Sequence, residues 1–327
     1  MKRNLHAGNP RSGGLSLNVF TEAEMDDIHF ATLEVLERTG VWVEDDDALD
    51  VFADGGCRVD RETRRVNIPP HVVEEAIRSS PASLVRGARD PKDRLVLEPG
   101  RVSFCNFDEG IMVNDLRTGE HREPVLQDVA EIARLVDALD HIDMYEPAGS
   151  PTDRPQETAV LHGTEAALHN TTKPVGTEST SAWEVRKVLE MGAAVVGGMD
   201  ELRENPIVGF GVCPVSPLKL PRDATEVVIE CARQGIPCGC LSMAMSGGSS
   251  PVTLAGTFVQ HNAEVLAGIT LAQLTTRGTP VDYGSSTTAM DLRLAAACVG
   301  SPELALFSAA TAQMARRYLI PSFVAGL

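Results

Sequence analysis

Residues 236–285, "IPCGCLSMAMSGGSSPVTLAGTFVQHNAEVLAGITLAQLTTRGTPVDYGS", decide how this chain folds. The run "IPCGCLSMAMS" is short, apolar and closed by Gly247-Gly248, a pair that permits a sharp backbone path after a strand. Pro251 suits the first turn of a helix, and the apolar run from there to about residue 275 is too long for a strand. "TPVDYGSST" then opens a second strand. Two apolar strands joined by a helical crossover run parallel.

Outward from that unit the same rhythm recurs. Strand "IDMYEPAG" precedes a helix at about 154–170, and strand "KPVGTES" precedes one at 181–197. Strand "PIVGFGVCPVS" leads to a helix at 221–234, the quoted strand to a helix at 251–275, and "TPVDYGSST" to a helix at 302–318. The last strand is "IPSFVAG". Mostly apolar strands alternating with helices give an α/β protein with a parallel sheet. No GxGxxG turn follows the first strand and no Walker loop follows any, so a TIM-barrel-type (β/α)8 fits better than an open doubly wound sheet. Residues 126–327 are assigned to this barrel. Six strands are two short of eight, so the barrel is expected to be truncated after its sixth strand.

Residues 1–125 read as an N-terminal α+β extension. The lead "MKRNLHAGNPRSGGLSLNVF" lacks an apolar core and reads as a flexible segment rather than a signal peptide. "TEAEMDDIHFATLEVLERTG" opens with a capping box at Thr21 and Glu24, buries Met25, Ile28, Leu33 and Leu36, and ends on Gly40. Short helices at about 46–53 and 70–78 flank the strand-like "RRVNIP". "RVSFCNF" and "GIMVNDLRTGEHREP" suggest a hairpin turning at Thr118-Gly119. "LQDVAEIARLVDAL" is amphipathic, with Val129, Ile132, Val136 and Leu139 on one stripe.

A formal charge of −17 disfavours nucleic acid and favours a cationic ligand. No apolar run is long enough to span a membrane, so a cytoplasmic protein is expected. The seven cysteines are odd in number and scattered through apolar runs, which reads as buried thiols. Cys238 and Cys240 share a strand face, but no second cluster has matching spacing. No HExxH, DxD or histidine-rich set occurs, so no protein-held metal is expected.

In such barrels the chemistry sits at the C-terminal ends of the strands. Those ends carry Tyr145, Glu146, Glu178, Met243, Tyr283 and Ser285. Aromatic faces with carboxylates suit a quaternary or tertiary ammonium, which offers few N–H donors and is held by cation–π contact and negative potential. The plain alternative for each aromatic is packing. The long helix carries Gln260, His261, Asn262 and Glu264 amid apolar neighbours. His261 is the candidate general base or proton shuttle, against the alternative of a satisfied structural group. Gly247, Gly248, Gln260, Asn262 and Glu264 are candidates for shaping a pocket or a docking surface.

"SGGSSPVTLAGTFVQHNAEVLAGITLAQL", "GSPELAL", "NTTKPVG", "VCPVSPL" and "DLRTGEHREP" resemble the trimethylamine–corrinoid methyltransferase family across nearly the whole chain. That family includes pyrrolysine-containing trimethylamine enzymes and pyrrolysine-lacking relatives acting on glycine betaine. The resemblance implies a TIM barrel with an N-terminal extension. It also implies methyl transfer from a methylated amine to the Co(I) of a corrinoid carried by a separate partner protein, with no corrinoid bound tightly by this chain. A homo-oligomer stays open. In the pyrrolysine-containing subfamily that residue lies close to this point, which leaves a pyrrolysine beyond Leu327 open. An amber codon read as a stop, a fragmentary gene and a genuinely short protein are the competing explanations of the ending. An inactive fragment that only binds amine or corrinoid partner, and a different TIM-barrel lyase or hydrolase, are the alternative functions.

Overall fold

A computed structural model gives the fold and describes residues 18–325, so most of the N-terminal lead lies outside the described residues. In chain order the elements are α1 (Glu22–Glu34), β1 (Val41–Val43), α2 (Asp46–Asp54), β2 (Arg58–Asp60), β3 (Arg65–Asn67) and α3 (Pro70–Ser79). Next come β4 (Leu84–Arg86), β5 (Leu95–Leu97), β6 (Val113–Asn114), β7 (His121–Arg122), α4 (Leu126–Ala138) and α5 (Ala159–Asn170). They are followed by β8 (Val175–Thr177), α6 (Ala182–Val196), α7 (Met199–Glu204), β9 (Val208–Val212), β10 (Lys219–Leu220) and α8 (Arg222–Gln234). The chain then forms β11 (Cys238–Ser242), β12 (Met245–Ser246), α9 (Leu254–Thr275), β13 (Val281–Ser285), β14 (Thr288–Asp291), β15 (Ala296–Ala297), α10 (Pro302–Tyr318) and β16 (Ser322–Val324).

Two compact units interleave along the sequence. Among the described residues one comprises 85–97 and 101–211; the other comprises 18–84, 98–100 and 212–325.

In the first unit β8 pairs parallel with β9, and Tyr145 makes a parallel bridge to Val175. The expected strand "IDMYEPAG" is thus reduced to the bridging residues Met144 and Tyr145. Cys105 bridges Met144 in parallel, so "RVSFCNF" extends this sheet instead of forming one arm of the hairpin. The hairpin is β6–β7, with Thr118 and Gly119 in its turn and Gly119 at φ 74°. Arg122 pins it to α4, donating to Asp115 at 2.9 Å and to Asp128 at 2.7 and 3.0 Å. α4 buries Val129, Ala133 and Val136, whereas Leu139 is exposed because the helix ends at Ala138. Lys173, buried just before β8, closes that end by donating to the carbonyls of Val136, Leu139 and Ile142 at 2.6–2.7 Å. The helix end is thereby satisfied by a cation at the negative pole of its dipole.

In the second unit β11, β13 and β16 are parallel neighbours. α9 is buried almost all round, as a hydrophobic helix at the centre of a core must be. It packs against α1, α2, α3, α8 and the strands β11 and β13. The expected capping box holds: Glu24 N–H donates to Thr21 Oγ1 and Glu24 accepts the Thr21 N–H. Met25, Ile28, Leu33 and Leu36 are buried as their spacing predicts. β1 pairs antiparallel with β3 and parallel with β10, which lies far along the chain.

Candidate functional site

Strand alternation places residues of one face two apart. In β13 it sends Tyr283 and Ser285 to one side and Asp282 and Gly284 to the other. Tyr283 faces α9, is fully buried, and donates to Asn262 Oδ1 at 2.7 Å. Asn262 in turn donates to Thr32 and to Tyr318 Oη, each at 2.9 Å. His29 bonds Tyr318 Oη at 3.0 Å and Glu74 at 2.8 Å. Tyr283 and Asn262 therefore sit inside a core network, with no aromatic face open to an ammonium.

His261 is also fully buried, stacked on Phe258 at 5.2 Å and edge-on to Tyr283 at 5.5 Å. Its Nδ1 bonds Thr287 Oγ1 at 2.9 Å. Burial pushes its pKa down to about 3, so the ring is neutral at physiological pH. The structure places this candidate base in the core.

Glu264 is 1% exposed and accepts four hydrogen bonds, from Ser242 (2.6 Å), Ser216 (2.8 Å), the Leu218 N–H (2.9 Å) and Gln260 (2.9 Å). Gln260 also donates to Ser249 O at 3.0 Å. Gln260 and Glu264 thus organise the loops that follow β9 and β11. Gly247 adopts φ 82°, and a Cβ on Gly248 would collide with Met290 Sδ. The positive φ makes glycine the fitting residue at 247, in a turn whose Met245 carbonyl accepts from Gly248, Ser249 and Ser250. Met243 is half exposed, and Ser285 is buried with its Oγ accepting from Thr287 N–H.

Three other expected residues are brought together in the first unit. Tyr145 and Glu178 line a narrow cavity of about 50 Å³, walled by Pro147, Ala159, Gly163, Thr164, Ala167 and Gly176. Glu178 is its one charged lining residue. The carboxylate of Glu146 occupies the place a Cβ on Gly176 would take, on the same strand face as Glu178. Asn106 fixes the backbone of Glu146 from both sides, donating to its carbonyl at 2.8 Å and accepting its N–H at 2.9 Å. The next residues follow the same strap: Glu109 N–H donates to Pro147 O and Gly110 N–H to Ala148 O.

That strap carries two carboxylates the sequence reading did not single out. Burial raises the Glu178 pKa, and its hydrogen bond with Glu109 and the charge of Asp108 raise it further. Burial also raises that of Asp108. The Tyr145 hydroxyl is pushed up to about 12 by burial and by the charges of Glu146, Asp108 and Glu178. Cys105 is likewise pushed up to about 12, by burial first and then by Glu146 and Asp108. Like charges gathered under partial burial hold a proton until a cation replaces it. Among the described residues no group of three or more His, Cys, Asp or Glu is arranged to hold a metal ion. No described helix is long and apolar enough to cross a membrane.

Parallel βα units with carboxylates and a tyrosine gathered at the strand ends define a mixed α/β protein with a small acid-lined cavity. Residues 3–327 match the family model described as trimethylamine methyltransferase (MTTB), and the chain belongs to that family. It is 47% identical to the trimethylamine methyltransferase MttB of Desulfitobacterium hafniense, over 98% of this chain and 65% of the relative. It is 44% identical to the MttB of Methanosarcina thermophila, over 99% and 68%. A glycine betaine methyltransferase of Desulfitobacterium hafniense is 32% identical over 93% and 63%. The chain therefore spans about two thirds of the length of the curated relatives it matches. In fold it is similar to the crystal structure of the Methanosarcina barkeri monomethylamine methyltransferase (MtmB), with a TM-score of 0.52 and 15% identity over 92% of this chain and 67% of that one.

Proposed function

We propose that this chain is the amine-binding part of a methyltransferase that passes a methyl group from a methylated amine to a corrinoid on a partner protein, and that its parallel strands belong to a (β/α)8 barrel. Family membership supports the chemistry, and the observation that carries the site is the convergence of Glu178, Asp108, Glu109 and Glu146 beside Tyr145. A corrinoid macrocycle is far larger than the 50 Å³ cavity, which fits a co-substrate brought by another protein rather than one held here. That corrinoid supplies a Co(I) nucleophile. The chain's own residues hold the cation by negative potential, orient one methyl group outward and exclude water.

With Glu178 as the one charged lining residue, a simple methylammonium is favoured over a betaine, whose carboxylate would face this anion. Incubation with cob(I)alamin and trimethylamine, with dimethylamine and methylcobalamin quantified together, tests the reading. Equal formation of both products is expected. Amine binding by calorimetry without turnover supports a binding-only role, and neither binding nor turnover with any methylated amine overturns the proposal.

A further inference from the structure

Gly176 on β8 and Gly209 on β9 are register partners in adjacent parallel strands. A Cβ on Gly176 would fall on the carboxylate of Glu146, and a Cβ on Gly209 would fall on the guanidinium of Arg86. Each charged group therefore fills the space a side chain on its glycine would take. Neighbouring strands are spaced about 4.8 Å apart, so carboxylate and guanidinium lie on the order of 5 Å from one another. Arg86 is 7% exposed and reaches this place from the end of β4, distant in sequence from Glu146. The arrangement requires glycine at both strand positions. By contrast, Gly211, two residues on from Gly209 and on the same face, has nothing within 4 Å of where its Cβ would stand.

We propose that Arg86 is a positioning residue for the amine site: seated on Gly209, it holds the Glu146 carboxylate, ionised, on Gly176. Without it, that carboxylate loses a neighbouring cation while the other acids stay in place. The groups around Glu146 are the Cys105 thiol, the Tyr145 hydroxyl, and the carboxyls of Asp108 and Glu178, with Glu109 on the same strap. All of them are acids, and Arg86 is the cation seated on the glycine next to the one Glu146 covers. The inference rests on the amine-site reading for its purpose, but the pairing itself can be measured without any amine.

The test is a carbon-13 carboxyl NMR titration of the full chain labelled in its glutamates, with the Glu146 signal assigned by its loss in Glu146→Gln. In Arg86→Met and in Gly209→Ala the Glu146 midpoint is expected to rise by about one pH unit or more, because a neighbouring cation is removed or displaced. Arg86→Lys should recover part of the shift, and Gly211→Ala should titrate like the wild type. If Arg86→Met does not fold, Gly209→Ala and Arg86→Lys carry the comparison. A Glu146 midpoint that stays put in folded Arg86→Met or Gly209→Ala overturns the pairing.

A second arm uses tetramethylammonium binding by calorimetry across pH. The acid limb of binding should move to higher pH in Arg86→Met by the same interval. If the wild type binds no methylated ammonium, the amine reading fails, and with it the purpose assigned to Arg86. A shifted NMR midpoint would still establish the pairing in that case. An unchanged acid limb beside a shifted NMR midpoint means Arg86 serves packing alone, which also overturns the positioning role.

Discussion

Glu264 accepts the hydroxyl of Ser242 at 2.6 Å, which ties the middle of α9 to the C-terminal end of β11. The same carboxylate holds Ser216 and the Leu218 N–H, so one buried anion fixes the loop after β9. Removing it strands several buried donors, each costing about 1–3 kcal/mol when left unsatisfied. Glu264→Ala should therefore lower unfolding stability by about 2–4 kcal/mol in urea titrations. Limited proteolysis should cut first between residues 213 and 220.

Glu178 and Asp108 have pKa values raised by burial and by their acidic neighbours. The folded chain then keeps protons that the unfolded chain releases above about pH 4, so stability must fall as pH rises from there towards the raised values. Glu178→Gln removes the main titrating group. Its melting temperature should drop less between pH 5 and pH 8 than that of the wild type, and its affinity for trimethylamine at pH 8 should fall about tenfold or more.

His261 has the opposite sign. Its folded pKa of about 3 lies below the ordinary histidine value, so the unfolded chain binds more protons between those limits. Stability contributed by the neutral ring is complete above about pH 6.5 and is lost as pH falls towards 3. His261→Leu should shallow the acid limb of a melting temperature–pH curve. A curve of unchanged slope would count against the buried neutral ring.

Lys173 donates to three carbonyls at the end of α4, and replacing it with Met removes that shared donor, leaving the Val136 and Leu139 carbonyls only a long backbone N–H each. A loss of about 2–3 kcal/mol is expected. Hydrogen exchange should quicken at residues 136–142, while the helix α9 keeps its protection.

The βα rhythm was legible because each strand is a short apolar run punctuated by glycine or proline, and helices such as α6, α9 and α10 open on capping residues Ser181, Thr253 and Ser301. The strand at Met144-Tyr145 and its parallel bridge to Cys105 were harder to read, since a non-local pairing leaves no periodic mark. Assigning "RVSFCNF" to a hairpin also hid the Asp108-Glu109 pair that follows it. Tyr283 was counted at the rim because a strand apolar on both faces does not show which phase points to the helices. Arg86 carries no sequence signal. What marks its place is the absence of a side chain at Gly209, which becomes meaningful only when the register of β8 and β9 is known.

The parallel pairing of β1 with β10 has a consequence for biosynthesis. Val43 is made early, but its partner Leu220 emerges only after the inserted unit, roughly ten to thirty-five seconds later at about 5–20 residues per second. Helices α1 to α3 wait as long or longer for α9, the surface on which they bury their apolar faces. Collapse of the inserted unit shortens the span to be closed, but the nascent N-terminal segment stays incompletely packed throughout. Its apolar faces stay open to solvent on the nascent chain for that interval.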